Sequence, residues 1–278
     1  MNETSSHQPA IGTETAAALL EPLTDLVIRA GAAILAVDRS GMHVEGKTDG
    51  SPLTEADKAA DRIIAEGLSA LAPQIPTLSE ERTHLSAHPY RCSFFLIDPL
   101  DGTREFVDGR DEFTVNVALI SGGKPILGIV GAPALGLVWR GVVGRGAERL
   151  LVTKDGRSRA AKAIRTRPHP GQGAWIVAVS RSHADERTET FITGRPGAIR
   201  QVLGSAVKFC RVAEGAVDIY PRLSPTSEWD VAAGHAVLTA AGGKVTDSNG
   251  AALHFGANRE DFLVPEFIAW GDPAAAGQ

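Results

Sequence analysis

An α/β fold, layered from helices packed on sheets, is predicted by three features of this sequence. Two amphipathic segments open it, a block of branched and aromatic runs fills its middle, and strand-like and helix-like stretches alternate from Gly173 onward. In the first segment Leu19, Leu23, Leu26, Val27, Ala30 and Ile34 recur at helical spacing, with Pro22 near the opening turn. Thr54 is a suitable cap for the second helix, EADKAADRIIAEGLSAL, which is expected to bury Ile63, Ile64, Leu68 and Leu71 on one stripe.

The runs CSFFLID, FTVNVALIS, PILGIVGAP and LGLVWRGVV, parted by Gly, Pro and Lys turns, read as strands of one sheet. SGGK, Ser121 to Lys124, is a hairpin turn and makes the middle pair antiparallel. Residues 145–172 read as a β-hairpin followed by a surface connector. Beyond them WIVAVS, HADERTETFI, SAVKFCRVAEG, AVDIYP and WDVAAGHAVLTAAGG alternate, which predicts a layered α/β second half. His235 and Trp229, in the last of these, read as packing residues. Residues 1–13 read as a loose tail, and 14–270 as a single domain of two lobes, about 14–165 and 166–270.

A chain of 278 residues fits one large domain or two tightly joined lobes. Its net charge of −5 gives no electrostatic reason to bind nucleic acid or anionic lipid. No apolar stretch approaches the roughly 20 residues needed to span a bilayer, and MNETSSHQPAIG lacks the basic and apolar parts of a signal peptide. The expected compartment is therefore the cytoplasm. Cys92 and Cys210 lie among apolar residues with no ligand at zinc-finger spacing, and read as two buried thiols rather than a disulfide.

The chemistry concentrates in DPLDGT. Asp98 and Asp101 flank Pro99 and Leu100 directly after an apolar strand, and Gly102 with Thr103 follows. Proline fixes one backbone angle and glycine permits close approach, so both carboxylates and the Leu100 carbonyl can converge on one small volume. Hard oxygen ligands of this kind suit Mg²⁺, and free N–H groups of a helical turn starting at Gly102 or Thr103 suit a phosphate. A lone DxxD is more often a solvated turn. Here Glu80 and Glu81 close a short strand in PTLSEE, Asp57 begins a helix in PLTEAD and Asp230 opens another in EWDVAAGHA, more acidic turns than a polar surface requires.

PLTEAD, LSEE, DPLDGT and WDVAAGHA, in that order and spacing, resemble the signatures of the inositol-monophosphatase-like superfamily of lithium-sensitive, magnesium-dependent phosphatases. Within it EFTVNVALI, SRSHAD, GSAVKFCRVAEG and YPRLSPTSEWD are similar to the bacterial 3′(2′),5′-bisphosphate nucleotidases of the CysQ type. The resemblance covers about residues 20–268 and implies an inositol-monophosphatase/fructose-bisphosphatase-like αβαβα sandwich. Its N-terminal sheet would be mixed and largely antiparallel, its C-terminal sheet smaller, with the metal site in the first lobe and substrate choice in the second.

By that resemblance Glu80, Asp98 and the Leu100 carbonyl hold one Mg²⁺, and Asp98, Asp101 and Asp230 a second, with a third near Glu80. Glu81 competes with Glu80, and the first of the pair matches the family ligand. Asp57 and Thr103 match the pair that orients the attacking water, Glu80 belongs to the same catalytic set, and two-metal in-line attack of water follows. Gly102 and Thr103 hold phosphate oxygens through their N–H groups.

Substrate choice then falls to the second half. His183, Ser205, Lys208 and Arg222 match the positions with which bisphosphate nucleotidases hold adenosine 3′,5′-bisphosphate, and Asp230 also faces the substrate. Ser205 and Lys208 stand three apart on an expected helix start, where a hydroxyl and an ammonium can serve one phosphate. Arg222 adds a forked donor, and His183 lies near base or ribose. Arg104 stands where lysine commonly follows DGT, and Ala206 with Val207 replace a more polar or longer pair. The implied reaction is hydrolysis of the bisphosphate to AMP and phosphate, and of its sulfated form to adenosine 5′-phosphosulfate, in sulfur metabolism. An inositol or sugar phosphatase is the alternative, and would not need Lys208 and Arg222. A nucleotide-sensing scaffold should have lost a ligand, yet Asp57, Glu80, Asp98, Asp101, Thr103 and Asp230 are all present. The partner is a small bisphosphate nucleotide, as monomer or homodimer, with a peripheral place on the inner membrane face open to bacterial relatives.

Overall fold

The structure is a computed structural model that describes residues 10–39, 44–46, 52–85, 92–153, 156–182, 185–256 and 262–276. The first amphipathic segment forms α1 (Thr13–Leu35) and the second α2 (Glu55–Leu71), with the short antiparallel pair β1 (Glu45–Gly46) and β2 (Pro52–Leu53) between them. Then come β3 (Thr77–Ser79), β4 (Ser93–Asp101), α3 (Thr103–Val107), β5 (Thr114–Ser121), β6 (Lys124–Ala132), β7 (Leu137–Val142), β8 (Gly146–Val152) and β9 (Ser158–Ile164). These seven strands form one sheet in sequence order; β3 runs parallel to β4 and every other pair is antiparallel.

The rest of the chain gives β10 (Ile176–Ser180), α4 (Glu186–Thr193), β11 (Ile199–Leu203), α5 (Val207–Ala213) and β12 (Ile219–Arg222). There follow β13 (Thr226–Ser227), α6 (Glu228–Ala240), β14 (Lys244–Thr246), β15 (Leu263–Val264) and β16 (Phe267–Trp270). A five-stranded sheet takes the order β11-β10-β12-β16-β14, and β13 pairs with β15.

Three apolar clusters record how these elements stack. Successive side chains of a strand point to opposite faces, so Phe95 and Ile97 of β4 meet Leu26, Val27 and Ile64 of α1 and α2, whereas Phe94 and Leu96 join α5 and α6. The same middle cluster takes Ala178, Tyr220 and Phe267 from the inner face of the small sheet. On its outer face Val177, Ile219 and Trp270 pack with Ile192 of α4. The order is thus helix, sheet, helix, sheet, helix. Both faces of the large sheet are covered, which is why its strands read as continuous apolar runs instead of alternating ones. Gly128 of β6 lets α6 lie directly on the sheet, since a Cβ there would stand 2.2 Å from the Ala233 carbonyl.

Several local expectations are corrected. Helix α1 begins at Thr13, so Pro22 lies inside it rather than at its opening; the Ala-rich stretch before Pro22 carries the helix further back than apolar spacing alone indicates. Leu71 is 41% exposed and Ile63 half-buried, because the buried place at the end of α2 goes to Ala72. Cys210 is buried, but Cys92 at the start of β4 is only half-buried; both thiols are free. Ser205 precedes α5, which starts at Val207 with Ala206 as its cap.

Candidate active site

The large sheet presents two acidic residues where β4 stops pairing. Asp98 is opposite Asn116 of β5, and pairing resumes only at Asp101 opposite Thr114. Pro99 has no N–H to give the ladder, so the strand bulges there and turns both carboxylates out of the sheet. Gly102 follows with φ of +91°, and a Cβ at this position would stand 2.2 Å from Ser205 Oγ. Only glycine makes this turn without strain.

Two other elements deliver the remaining acids. Asp230 is in the first turn of α6, and carboxylate oxygens of Asp98, Asp101 and Asp230 all lie within 4.8 Å of one another. Parallel pairing of Ser79 with Ile97 then puts Glu80, rather than Glu81, on the cleft wall within hydrogen-bonding reach of Asp98. Burial, and next the charge of Glu80, hold the Asp98 carboxyl well above the ordinary carboxylate range. Burial and then Asp230 push Asp101 up to about 6. Among the described residues no salt bridge joins Asp98, Asp101 or Asp230 to a basic side chain. A cluster of mutually repelling oxygen donors, Asp98 buried and Asp101 and Asp230 half-buried, fits a divalent cation.

The supporting bonds are specific. Asp101 Oδ2 accepts from Thr114 Oγ1 at 3.2 Å, Asn116 Nδ2 at 3.3 Å and Ala206 N at 2.7 Å. Thr226 donates to Asp230 through its hydroxyl. Leu100 N donates to Asp98 Oδ1 at 3.0 Å. Behind the cluster Asp57 Oδ2 accepts from the backbone N–H and the hydroxyl of Thr54, at 2.8 and 2.6 Å, closing a capping box on α2. Its Oδ1 faces Thr103 Oγ1 at 3.1 Å, and that hydroxyl is also 3.1 Å from the Leu100 carbonyl oxygen.

A cleft of about 240 Å³ opens over these acids and runs to the small sheet. Lys208, Arg222, Ser205, Tyr220 and Trp229 line it as well. Lys208 is 3% exposed, with Nζ 5.2 Å from the centre of the Tyr220 ring. Desolvation lowers its ammonium to about 8, against the pull of Asp101. Arg222 Nε is buried without a partner, and its Nη2 donates to the Pro225 carbonyl at 3.3 Å. Ser205 has φ of +46° and its hydroxyl faces the carbonyls of Asp101 and Glu112, at 2.8 and 2.9 Å. Its one proton is therefore engaged in the fold, unlike the free phosphate donor expected from a helix start. His183 lies outside the described residues.

The profile of the inositol monophosphatase family matches residues 16–276. The chain belongs to the inositol monophosphatase family. Among curated members, the protein named 3′(2′),5′-bisphosphate nucleotidase CysQ of Escherichia coli K12 is 42% identical over 255 residues, covering 90% of this chain and 98% of the relative. The protein of the same name from Shigella flexneri is 40% identical over 260 residues, with the same coverage. Among solved members, CysQ from Bacteroides thetaiotaomicron superimposes with a TM-score of 0.73 at 31% identity, over 93% of this chain and 97% of that one. The family is one of phosphatases, and the layered α/β architecture above is shared with it.

Sequence reading gave no site role to Glu105, Tyr220 or Trp229, which all line the cleft. Glu105 reads as an ordinary helix glutamate and Tyr220 as a strand aromatic. Trp229 does pack, beside Phe262, but it also faces the cleft. Their only sequence signal is nearness to a motif, one or two positions from Thr103, Arg222 or Asp230.

Proposed function

We propose that this chain is a cytoplasmic, Mg²⁺-dependent 3′(2′),5′-bisphosphate nucleotidase that hydrolyses adenosine 3′,5′-bisphosphate to AMP and phosphate, and the sulfated form to adenosine 5′-phosphosulfate. One observation carries this reading: a single cleft is lined by the Asp98, Asp101 and Asp230 carboxylates together with a buried Lys208 and Arg222. Such a cleft suits a substrate with two phosphates, one at the acids and one at the cations. The nucleotidase name carried by relatives at 40–42% identity supports the same substrate class.

Glu80, Asp98 and the Leu100 carbonyl would hold one Mg²⁺, and Asp98, Asp101 and Asp230 a second, with a third near Glu80. Bound there, the ions would supply neutralisation of phosphate charge, a lowered pKa for water and stabilisation of the departing alkoxide. Thr103 orients the attacking water and can take its proton only by passing its own hydroxyl proton to Asp57, whose Oδ1 already accepts from it. The N–H groups of Gly102 and Thr103 hold oxygens of the phosphate being removed, and Asp230 faces the leaving sugar. Lys208 and Arg222 hold the second phosphate, His183 meets the nucleoside, and Ser205 fixes the turn that presents Lys208. The 14–165 lobe thereby supplies all of the chemical groups except Asp230, and the 166–270 lobe adds that ligand and specificity.

Steady-state assays of the purified protein with Mg²⁺ on adenosine 3′,5′-bisphosphate and on inositol 1-phosphate test this reading. A higher kcat/KM for the bisphosphate is expected, and a clear preference for inositol 1-phosphate would overturn it in favour of the sugar-phosphatase alternative.

A further inference from the structure

Of the carboxylates lining the cleft, Asp98, Asp101 and Asp230 form the cluster and Glu80 reaches Asp98, whereas Glu105 belongs to neither arrangement. It sits on α3, three residues past Gly102, and is 7% exposed. Its Oε1 accepts from Ser182 Oγ at 2.7 Å, across 77 residues of chain, and it forms no ion pair among the described residues. Besides this hydroxyl the carboxylate has only the through-space attraction of the buried Lys208 ammonium, and a buried carboxylate without a direct ion pair costs stability compared with an apolar residue of the same shape. Its neighbours are shaped around it: Glu105 atoms lie 3.3 Å and 3.4 Å from where a Cβ on Gly102 or Gly204 would stand.

A second tie runs beside the first. Arg181 Nη2 meets Glu112 Oε2 at 2.6 Å, and the same oxygen accepts from Gly204 N at 2.9 Å. Two adjacent residues after β10, Arg181 and Ser182, are thus fastened to two acids flanking the turn at the metal cluster. A segment held at one point can pivot, whereas one held at two points keeps its distance from Asp98 and Asp101. That segment continues from Ser180, which lines the cleft.

We propose that Glu105 is a positioning residue for substrate recognition: by gripping Ser182 it fixes the wall of the second sheet against the metal-site turn and so sets the fit of the nucleotide. The proposal rests on the nucleotidase reading for its choice of substrate only. Glu105→Ala and Ser182→Ala are each expected to raise KM for adenosine 3′,5′-bisphosphate about tenfold with kcat within about twofold. The kcat/KM for p-nitrophenyl phosphate, which presents a phosphate ester with no nucleoside, should change by less than about twofold. Because the two side chains act as one unit, the double variant should be no worse than either single one. Glu105→Gln keeps an oxygen acceptor for Ser182 and should restore most of the lost affinity.

Equal losses on both substrates, or additive losses in the double variant, would overturn the proposal. Thermal melting separates these outcomes from unfolding, and Ser182→Ala leaves the buried position of Glu105 filled. Should the wild type prefer inositol 1-phosphate, the nucleotidase reading fails by itself. The Glu105–Ser182 cycle is then run on that substrate, where additivity again overturns the positioning role and non-additivity upholds it.

Discussion

Asp57 serves two elements at once: one carboxylate oxygen caps α2 through Thr54, and the other faces the Thr103 hydroxyl at 3.1 Å, 46 residues further along the chain. The residue that starts a helix thereby orients a hydroxyl at the end of the central strand. Asp57→Asn is expected to lower kcat about 10²–10⁴-fold, the usual range for losing a general base, and to cost about 1 kcal/mol through the weakened cap. Steady-state kinetics and urea melts read the two effects separately. A stability loss with unchanged kcat would leave Asp57 as a cap only.

Asp101→Asn should abolish turnover while keeping the fold, because an asparagine oxygen can still accept from Thr114, Asn116 and Ala206 N. Without Mg²⁺ the variant is expected to melt at or above the wild-type temperature, since one of three crowded negative charges is gone. Adding Mg²⁺ should raise Tm in the wild type, by about 2.7 kcal/mol of stabilisation at a hundredfold excess over Kd, and leave the variant almost unmoved. Full activity in the variant would refute the metal assignment.

Lys208→Ala should raise KM for the bisphosphate by at least tenfold and for 3′-AMP far less. Losing a charge-assisted contact from a buried ammonium costs about 1.5–3 kcal/mol, and only the bisphosphate has a second phosphate to lose it. Equal effects on both substrates would mean that Lys208 does not touch that phosphate.

Stability in acid should carry the mark of His235, whose imidazole is pushed down to about 4 by burial, with Nδ1 covered and lacking a partner. The folded pKa lies below the ordinary 6.5, so the unfolded chain binds a proton first as pH falls. The contribution is complete above 6.5 and is lost as pH drops through that value towards about 4. Urea midpoints measured between pH 7 and 4.5 are expected to fall less steeply in His235→Leu than in the wild type. Parallel curves would remove the histidine from acid unfolding.

Gly102→Ala should cost about 2 kcal/mol or more, since φ of +91° disfavours any side chain and the new Cβ would collide with Ser205 Oγ. The collision sits at the metal-site turn, so kcat is expected to fall together with Tm. A variant with wild-type Tm would show that the turn relaxes freely.

The sequence alone determined the elements and the acids. Helical spacing placed α1 and α2, branched and aromatic runs placed β4 to β7, and turn residues beside Asp57, Glu80, Asp98, Asp101 and Asp230 marked the chemistry, because periodicity and turn preference are local properties of the chain. It misjudged the end of a helix stripe and the burial of a thiol, Leu71 and Cys92, since burial depends on what packs opposite. Only the tertiary structure decided which partners these residues keep. The parallel pairing of β3 with β4 selected Glu80 over Glu81 for the cleft wall. The fold engaged the Ser205 hydroxyl with two carbonyls, and it brought Ser182 to Glu105 across 77 residues. Such contacts arise where distant segments meet, and no local pattern in either segment encodes the meeting.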